Sequence, residues 1–185
     1  VVPRKKGAIR PAAVWEQLKR PDSRELVLMD NNVLACGHGL EQIERMSRAE
    51  VWVDFNQGLD ARLIDPHSAA LLAKLKWIRC VRLSCDTSTM VPVVEQAAAY
   101  LKEAGVAPSR LWCYLLVRDV ADAHQRTLAL EKMGFDVFAQ PYRDYDGGEP
   151  TAEQKVFARW VNVKSVHRSC AWEHYSGTRC KNRAK

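Results

Sequence analysis

No apolar run in this sequence comes near the roughly 20 residues that a membrane-spanning helix needs. Its first residues also lack the charged-then-apolar pattern of a signal peptide, so no membrane contact is expected. Compact metal-ligand spacings such as C-x2-C are missing as well. The six cysteines, Cys36, Cys80, Cys85, Cys113, Cys170 and Cys180, do not suggest a secreted disulfide framework, and a reducing cytoplasm is the expected compartment. Cys80, Cys85 and Cys113 lie in or beside strand-like runs, where cysteine serves as a small hydrophobe. In the tail, His167-x2-Cys170-x3-His174-x5-Cys180 offers zinc-type ligands without their usual paired spacing. The first residue is Val1 rather than methionine, as expected of a processed chain or a fragment.

What is present is enough for one folded domain. The 185 residues are 47% hydrophobic, which provides for a substantial core. The net charge of +6 is unevenly placed: residues 1–24 and residues 164–185 each carry +5, around a body of −4. Basic ends of this kind are ordinarily solvated tails, and contact with nucleic acid is the alternative.

Strand-like and helix-like runs alternate along the chain. Pro11 to Lys19 reads as a short helix, and Leu26-Val27-Leu28-Met29 as a buried strand that ends in Asp30-Asn31-Asn32. A looser helix around Leu40, Ile43 and Met46 leads to a strand from Val51. Asp65-Pro66 then has the form of an N-cap with proline in the first helical position. Ile78–Cys85 is the third expected strand, and a helix from about Val91 to Ala104 stops at Gly105. Leu111–Val117 is the fourth. A helix through Leu128, Leu130 and Met133 stops at Gly134, before a fifth strand over Phe135–Ala139. Beyond a loop at Asp144–Glu149, Thr151 and Gln154 make a capping box for a helix with Val156, Phe157, Trp160 and Val161. Periodicity fades after Asn162, and disorder is expected from Ser176 onward.

The stretch Val51–Ile64, VWVDFNQGLDARLI, carries the clearest chemistry. Val51, Val53 and Phe55 alternate with Trp52, Asp54 and Asn56, so the two sets face opposite ways. Gln57, Asp60 and Arg62 crowd the strand's carboxyl end. The same layout recurs in Ser84 and Asp86, in Tyr114 and Arg118, and in Gln140 and Tyr142. Helices outside and polar groups at one mouth are the requirements of an α/β barrel or half-barrel, and five strands are too few to close one. The plain alternative for Asp60 and Arg62 is an ion pair in a strand-to-helix loop, and Asp54 reads equally as a satisfied internal carboxylate.

Four segments in register, VVPRKKGAIRP, LMDNN, VDFNQGLDARL and FARWVN, resemble a bacterial and phage group of radical S-adenosylmethionine proteins. The resemblance covers Val1 to about Asn162. It implies a partial (β/α)6 TIM-like barrel, here about five strands (the second to the sixth) with outer helices and a C-terminal helix. Residues 1–162 would form that barrel without its first strand and cluster loop, and residues 163–185 a basic, partly disordered extension. In such proteins a 4Fe–4S cluster cleaves S-adenosyl-L-methionine and a 5′-deoxyadenosyl radical forms. By position, Asp30, Asn31 and Asn32 would serve the methionine amino group, and Ser84 and Asp86 the ribose. Arg62 or Arg118 would receive the carboxylate. Leu116, Val117, Gln140 and Pro141 would line the adenine, with Asn56, Gln57 and Asp60 completing the mouth.

One departure matters most. The family holds its cluster on cysteines spaced C-x3-C-x2-C, and that triplet is absent from these residues. The resemblance places it just ahead of Val1. As a fragment, the chain is expected to bind neither the cluster nor much S-adenosylmethionine, and its substrate is not legible. Two other readings stand beside this one. A cluster-free relative would act as a nucleic-acid or protein binding module, and an ordinary α/β-barrel enzyme would use Asp54, Asp60 or Asp86 for acid–base work.

Overall fold

A computed structural model describes residues 14–29, 32–144, 146–178 and 180. The expectations placed on Pro11, Asp30 and Asn31 therefore lie outside the described residues. Within them, a four-residue helix α1 (Trp15–Leu18) precedes β1 (Glu25–Leu28), α2 (Gly37–Ser47), β2 (Trp52–Phe55) and α3 (Pro66–Ala73). There follow β3 (Lys76–Trp77), β4 (Val81–Ser84), α4 (Val91–Glu103), β5 (Leu111–Val117) and α5 (Val120–Lys132). The order ends with β6 (Asp136–Pro141), α6 (Ala152–Asn162) and α7 (Lys164–Ser169). None of these helices is long and apolar enough to cross a membrane.

Local chemistry explains most of the boundaries. The Asp65 carboxylate accepts from the Ser68 amide at 2.7 Å, the Ser68 hydroxyl answers the Asp65 amide at 2.9 Å, and Pro66 fills the first turn of α3. Thr151 and Gln154 cap α6 in the same reciprocal way. Helices α4 and α5 end at Gly105 (φ +101°) and Gly134 (φ +90°), a backbone region that L side chains rarely adopt. The next amide in each case, Val106 or Phe135, returns to a carbonyl of the last turn.

All strands pair in parallel, in two three-stranded sheets ordered β1-β2-β3 and β4-β5-β6. The fold is mixed α/β, and no closed barrel forms among the described residues. The third expected strand, Ile78–Cys85, is shorter than expected: only β4 forms within it and pairs with β5, Ile78–Cys80 lies outside any strand, and the short β3 just ahead of it, which was not expected, pairs with β2. Arg110 supports the break, its guanidinium donating to the carbonyls of Trp77 (3.2 Å) and Arg79 (2.6 Å). The sheets meet where the Leu59 amide donates to the Arg82 carbonyl at 2.8 Å.

The two faces of these sheets differ sharply. Leu26, Leu28, Val53, Phe55, Val81, Leu83, Cys85, Leu111, Cys113, Leu115, Val117, Val137 and Ala139 are buried in the core. The alternate positions are exposed or half-buried, apart from Asp54 and Arg82, which are buried. Val27 and Met29 are exposed, so the continuous apolar run Leu26–Met29 is a one-sided strand and not the fully buried one expected. In α5, Leu130 is buried while Leu128 is exposed.

The segment after Asn162 is more ordered than its fading periodicity suggested. Lys164 donates to the Val137 carbonyl and pairs with Asp136 at 2.5 Å. His167 meets Glu131 at 2.5 Å, and Trp172 packs its ring on Phe157 and Trp160. Cys170 and Cys180 form a disulfide, which the sequence reading did not expect, so neither is a free thiolate for zinc. Asn162, the last residue of FARWVN, has a structural task. Its side-chain amide accepts from the Ala139 amide and donates to the Ala139 carbonyl, both at 2.8 Å, as a neighbouring strand would.

Candidate functional site

Parallel pairing brings the carboxyl ends of the strands in each sheet to one side, and the candidate residues stand there. Ser84 ends β4 and pairs in register with Tyr114. Leu116 of β5 pairs with Gln140 of β6. Asp86 lies just beyond β4, with its carboxylate facing the Leu116 amide. Burial pushes its pKa above the ordinary carboxylate value, while Arg126 and the Leu116 amide pull the other way. Ser84, Leu116 and Gln140 thus lie on adjacent strands of one sheet, with Asp86 just past the end of the first.

Arg126 supports this corner from beneath. It is among the largest fully buried side chains. Its guanidinium donates to the Cys85 carbonyl (2.6 Å) and the Leu116 carbonyl (2.9 Å), and it pairs with Asp122 at 2.7 Å. It therefore ties the ends of β4 and β5 together and places a positive charge below Asp86. Sequence reasoning missed it, because an arginine four residues after an aspartate on a helix reads as a surface ion pair.

A second missed residue is Arg82. It forms a two-point ion pair with Asp54, one bond at 3.0 Å, and both side chains are almost wholly buried. Burial lowers the Arg82 pKa, and Tyr114 opposes that shift. Asp54 is thus the satisfied internal carboxylate that the alternation allowed. The pair joins the two sheets on their open face, with Arg82 5.7 Å from the Trp112 ring centroid.

The other candidates divide. Asp60 caps the turn Ala61–Leu63 and grips the Arg62 side chain at 2.8 and 2.6 Å, and Arg62 holds its pKa below the ordinary value. The plain ion-pair reading of that spacing describes the contact. Arg62 also lines a shallow cavity of about 330 Å³ with Pro92, Val93 and Gln96 of the α4 region. Arg118 is exposed, stacks at 4.1 Å from the Tyr142 ring centroid, and has no ion pair among the described residues. Asn56 donates to the Met29 sulfur at 3.4 Å, and Gln57 is exposed. Asn32 precedes a short turn, with its Oδ1 buried and without a partner.

Among the described residues no group of three or more His, Cys, Asp or Glu side chains is placed to hold a metal ion. Cys85 and Cys113 lie in the core, where burial pushes both thiols up, Cys85 to about 11. With Cys170 and Cys180 joined, the remaining cysteines do not fit a shared cluster. Comparison with protein-family models, curated proteins and solved structures yields no match.

Proposed function

We propose that this chain is the nucleoside-binding part of a radical S-adenosylmethionine protein. Its strands would be the second to the sixth of a partial (β/α)6 barrel, with β3 and β4 as two pieces of one strand. The observation that carries the reading is the polar corner at the carboxyl ends of β4, β5 and β6. There Ser84, Asp86 and Gln140 surround Leu116 at the end of an otherwise apolar framework. A nucleoside has matching needs. Its ribose hydroxyls donate to a carboxylate and exchange bonds with a serine hydroxyl, and its adenine fits an apolar strand end beside an amide. Of the two arginines considered for the methionine carboxylate, Arg118 is the better suited, because Arg62 is held by Asp60.

Bound S-adenosylmethionine would supply the sulfonium whose reductive cleavage generates a radical. The residues here bind and orient its nucleoside. They do not hold the cluster, and the resemblance assigns that task to three cysteines ahead of Val1. Two acids named for ordinary acid–base chemistry, Asp54 and Asp60, already serve arginines, which favours the nucleoside reading over that rival.

Asp86 provides the test. In the chain extended upstream through the cluster loop, Asp86→Ala is expected to weaken S-adenosylmethionine binding at least tenfold by calorimetry, about 1.4 kcal/mol, close to the lower edge of the range for hydrogen bonds to a charged group. The same change should not destabilise the fold at neutral pH. A carboxyl whose folded pKa is raised stabilises most below its unfolded pKa, and that contribution is lost as pH rises through the folded value. Asp86→Asn should therefore hold or raise the thermal midpoint at pH 7. Equal affinity in Asp86→Ala and the parent would remove Asp86 from the site.

A further inference from the structure

Four of the six cysteines, Cys36, Cys80, Cys85 and Cys113, are thiols, while Cys170 and Cys180 are joined. The two joined residues are held differently. Cys170 is buried at the end of α7, where its amide donates to the Val166 carbonyl at 2.9 Å. Its own carbonyl accepts the indole N–H of Trp160, in α6, at 2.7 Å. Cys180 is half-buried and bridges back to Tyr175 in antiparallel fashion. Cys170 therefore stays in place without the disulfide, whereas Cys180 belongs to a return segment.

Residues 171–178, between the two cysteines, form a flap over α6. Trp172 places its ring 5.0 Å from Phe157 and 5.7 Å from Trp160, and both of those rings are buried. A side chain at Gly177 would meet Val156 at 3.2 Å, so the return also lies close against α6. The bonds of Tyr175 close within the flap, its amide on the Trp172 carbonyl at 3.0 Å and its hydroxyl on the Gly177 carbonyl at 2.8 Å. The helix before the flap has anchors of its own. In α7, Lys164 reaches Asp136 and the Val137 carbonyl, and His167 reaches Glu131. A loop with a sequence separation of only 10 also restrains the unfolded chain less than a long one would. What the disulfide fixes is local, and it is the flap.

We propose that Cys170 and Cys180 are a reversible thiol–disulfide switch, which holds residues 171–178 on α6 when oxidised and releases them when reduced. The reductant is a dithiol. One of its thiolates attacks the Cys180 sulfur, the sulfur–sulfur bond breaks, and Cys170 leaves as a thiolate that takes a proton from solvent. The second thiolate of the reductant then closes on its own partner sulfur and expels Cys180. The dithiol ends as its disulfide, with two electrons and two protons passed to the protein. Release lifts Trp172 from Phe157 and Trp160 and opens that apolar side of α6 to water. This goes beyond the nucleoside reading and does not depend on it, because neither cluster nor S-adenosylmethionine takes part.

The test is amide exchange of the 185-residue chain, read by mass spectrometry with and without dithiothreitol. Maleimide labelling of denatured samples fixes the redox state, with four thiols expected in the oxidised chain and six in the reduced one. Reduction should speed exchange in residues 171–178 at least about tenfold while β4, β5 and β6 keep their rates. Reoxidation with oxidised glutathione should restore the slow rate. Cys180→Ser should exchange fast in the flap with or without dithiothreitol, and its unchanged β5 rates would show that the domain remains folded. Cys80→Ser should respond as the parent does. Four results would each overturn the proposal: six thiols after treatment with oxidised glutathione, equal flap exchange in both redox states, exchange that rises equally in the flap and in β4–β6, and slow flap exchange in Cys180→Ser.

Discussion

Arg82→Met unfolds this protein more readily than any other single change in its sheets, by an expected 3–5 kcal/mol or so. The reason is the charge it leaves behind. Asp54 is buried, and among the described residues its side chain is bonded to Arg82 alone, 28 residues away. Truncating the arginine leaves a carboxylate in a dry site between the sheets, where it must be desolvated unpaired or take up a proton. The pair itself adds much less than its loss removes, because burying both ions was already costly. Asp54→Leu combined with Arg82→Met should therefore recover most of the lost stability. Denaturant titration of the two single variants and the double variant measures this coupling. If the double variant is no more stable than Arg82→Met alone, the sheets are not joined through this pair.

Arg126→Met has the second-largest expected effect, about 3 kcal/mol, and it falls on the corner where the nucleoside is placed. Its guanidinium satisfies the Cys85 and Leu116 carbonyls at once, and a thioether satisfies neither. Amide exchange should rise around Asp86 and Arg118 well before the rest of β4 and β5 opens. The Asp86 carboxyl, deprived of the cation beneath it, should titrate still higher. Arg126→Lys should restore only part of the stability, since an ammonium cannot reproduce the fork that reaches two strands. Uniform exchange across the chain in Arg126→Met would mean that the residue supports the whole fold and has no special part in this corner.

Both residues mark where sequence reading stopped. Caps such as Asp65 with Ser68 and Thr151 with Gln154, and stops such as Gly105 and Gly134, involve neighbours within a turn, so their chemistry was visible in the letters. The two-faced alternation in Val51–Asn56 was visible for the same reason. Arg82 with Asp54 and Arg126 with Cys85 depend on which strands come together, and spacing along the chain does not encode that. The interruption between β3 and β4 is similar, because its carbonyls are met by Arg110, which precedes β5. Val27 and Met29 misled because an apolar run reads as buried on both sides, whereas this strand has an open face. The tail misled because its order comes from Trp172 on Phe157 and from the Cys170–Cys180 bond, neither of which is periodic. At the candidate site, Ser84, Asp86 and Gln140 were legible by position, while the Leu116 amide and Arg126 needed the register of β4 against β5.

Release of 5′-deoxyadenosine tests the central claim most directly. The 185-residue chain and the chain extended upstream along its coding sequence are each given iron, sulfide and reductant under anaerobic conditions, with S-adenosylmethionine. The extended chain should carry a strand and a three-cysteine loop before Val1, and should form 5′-deoxyadenosine. The 185-residue chain should form none, because among its described residues no group of three or more His, Cys, Asp or Glu side chains is placed to hold a metal ion. Deoxyadenosine from the shorter chain would contradict the assignment of the cluster to upstream residues, and none from either chain would contradict the radical S-adenosylmethionine reading itself.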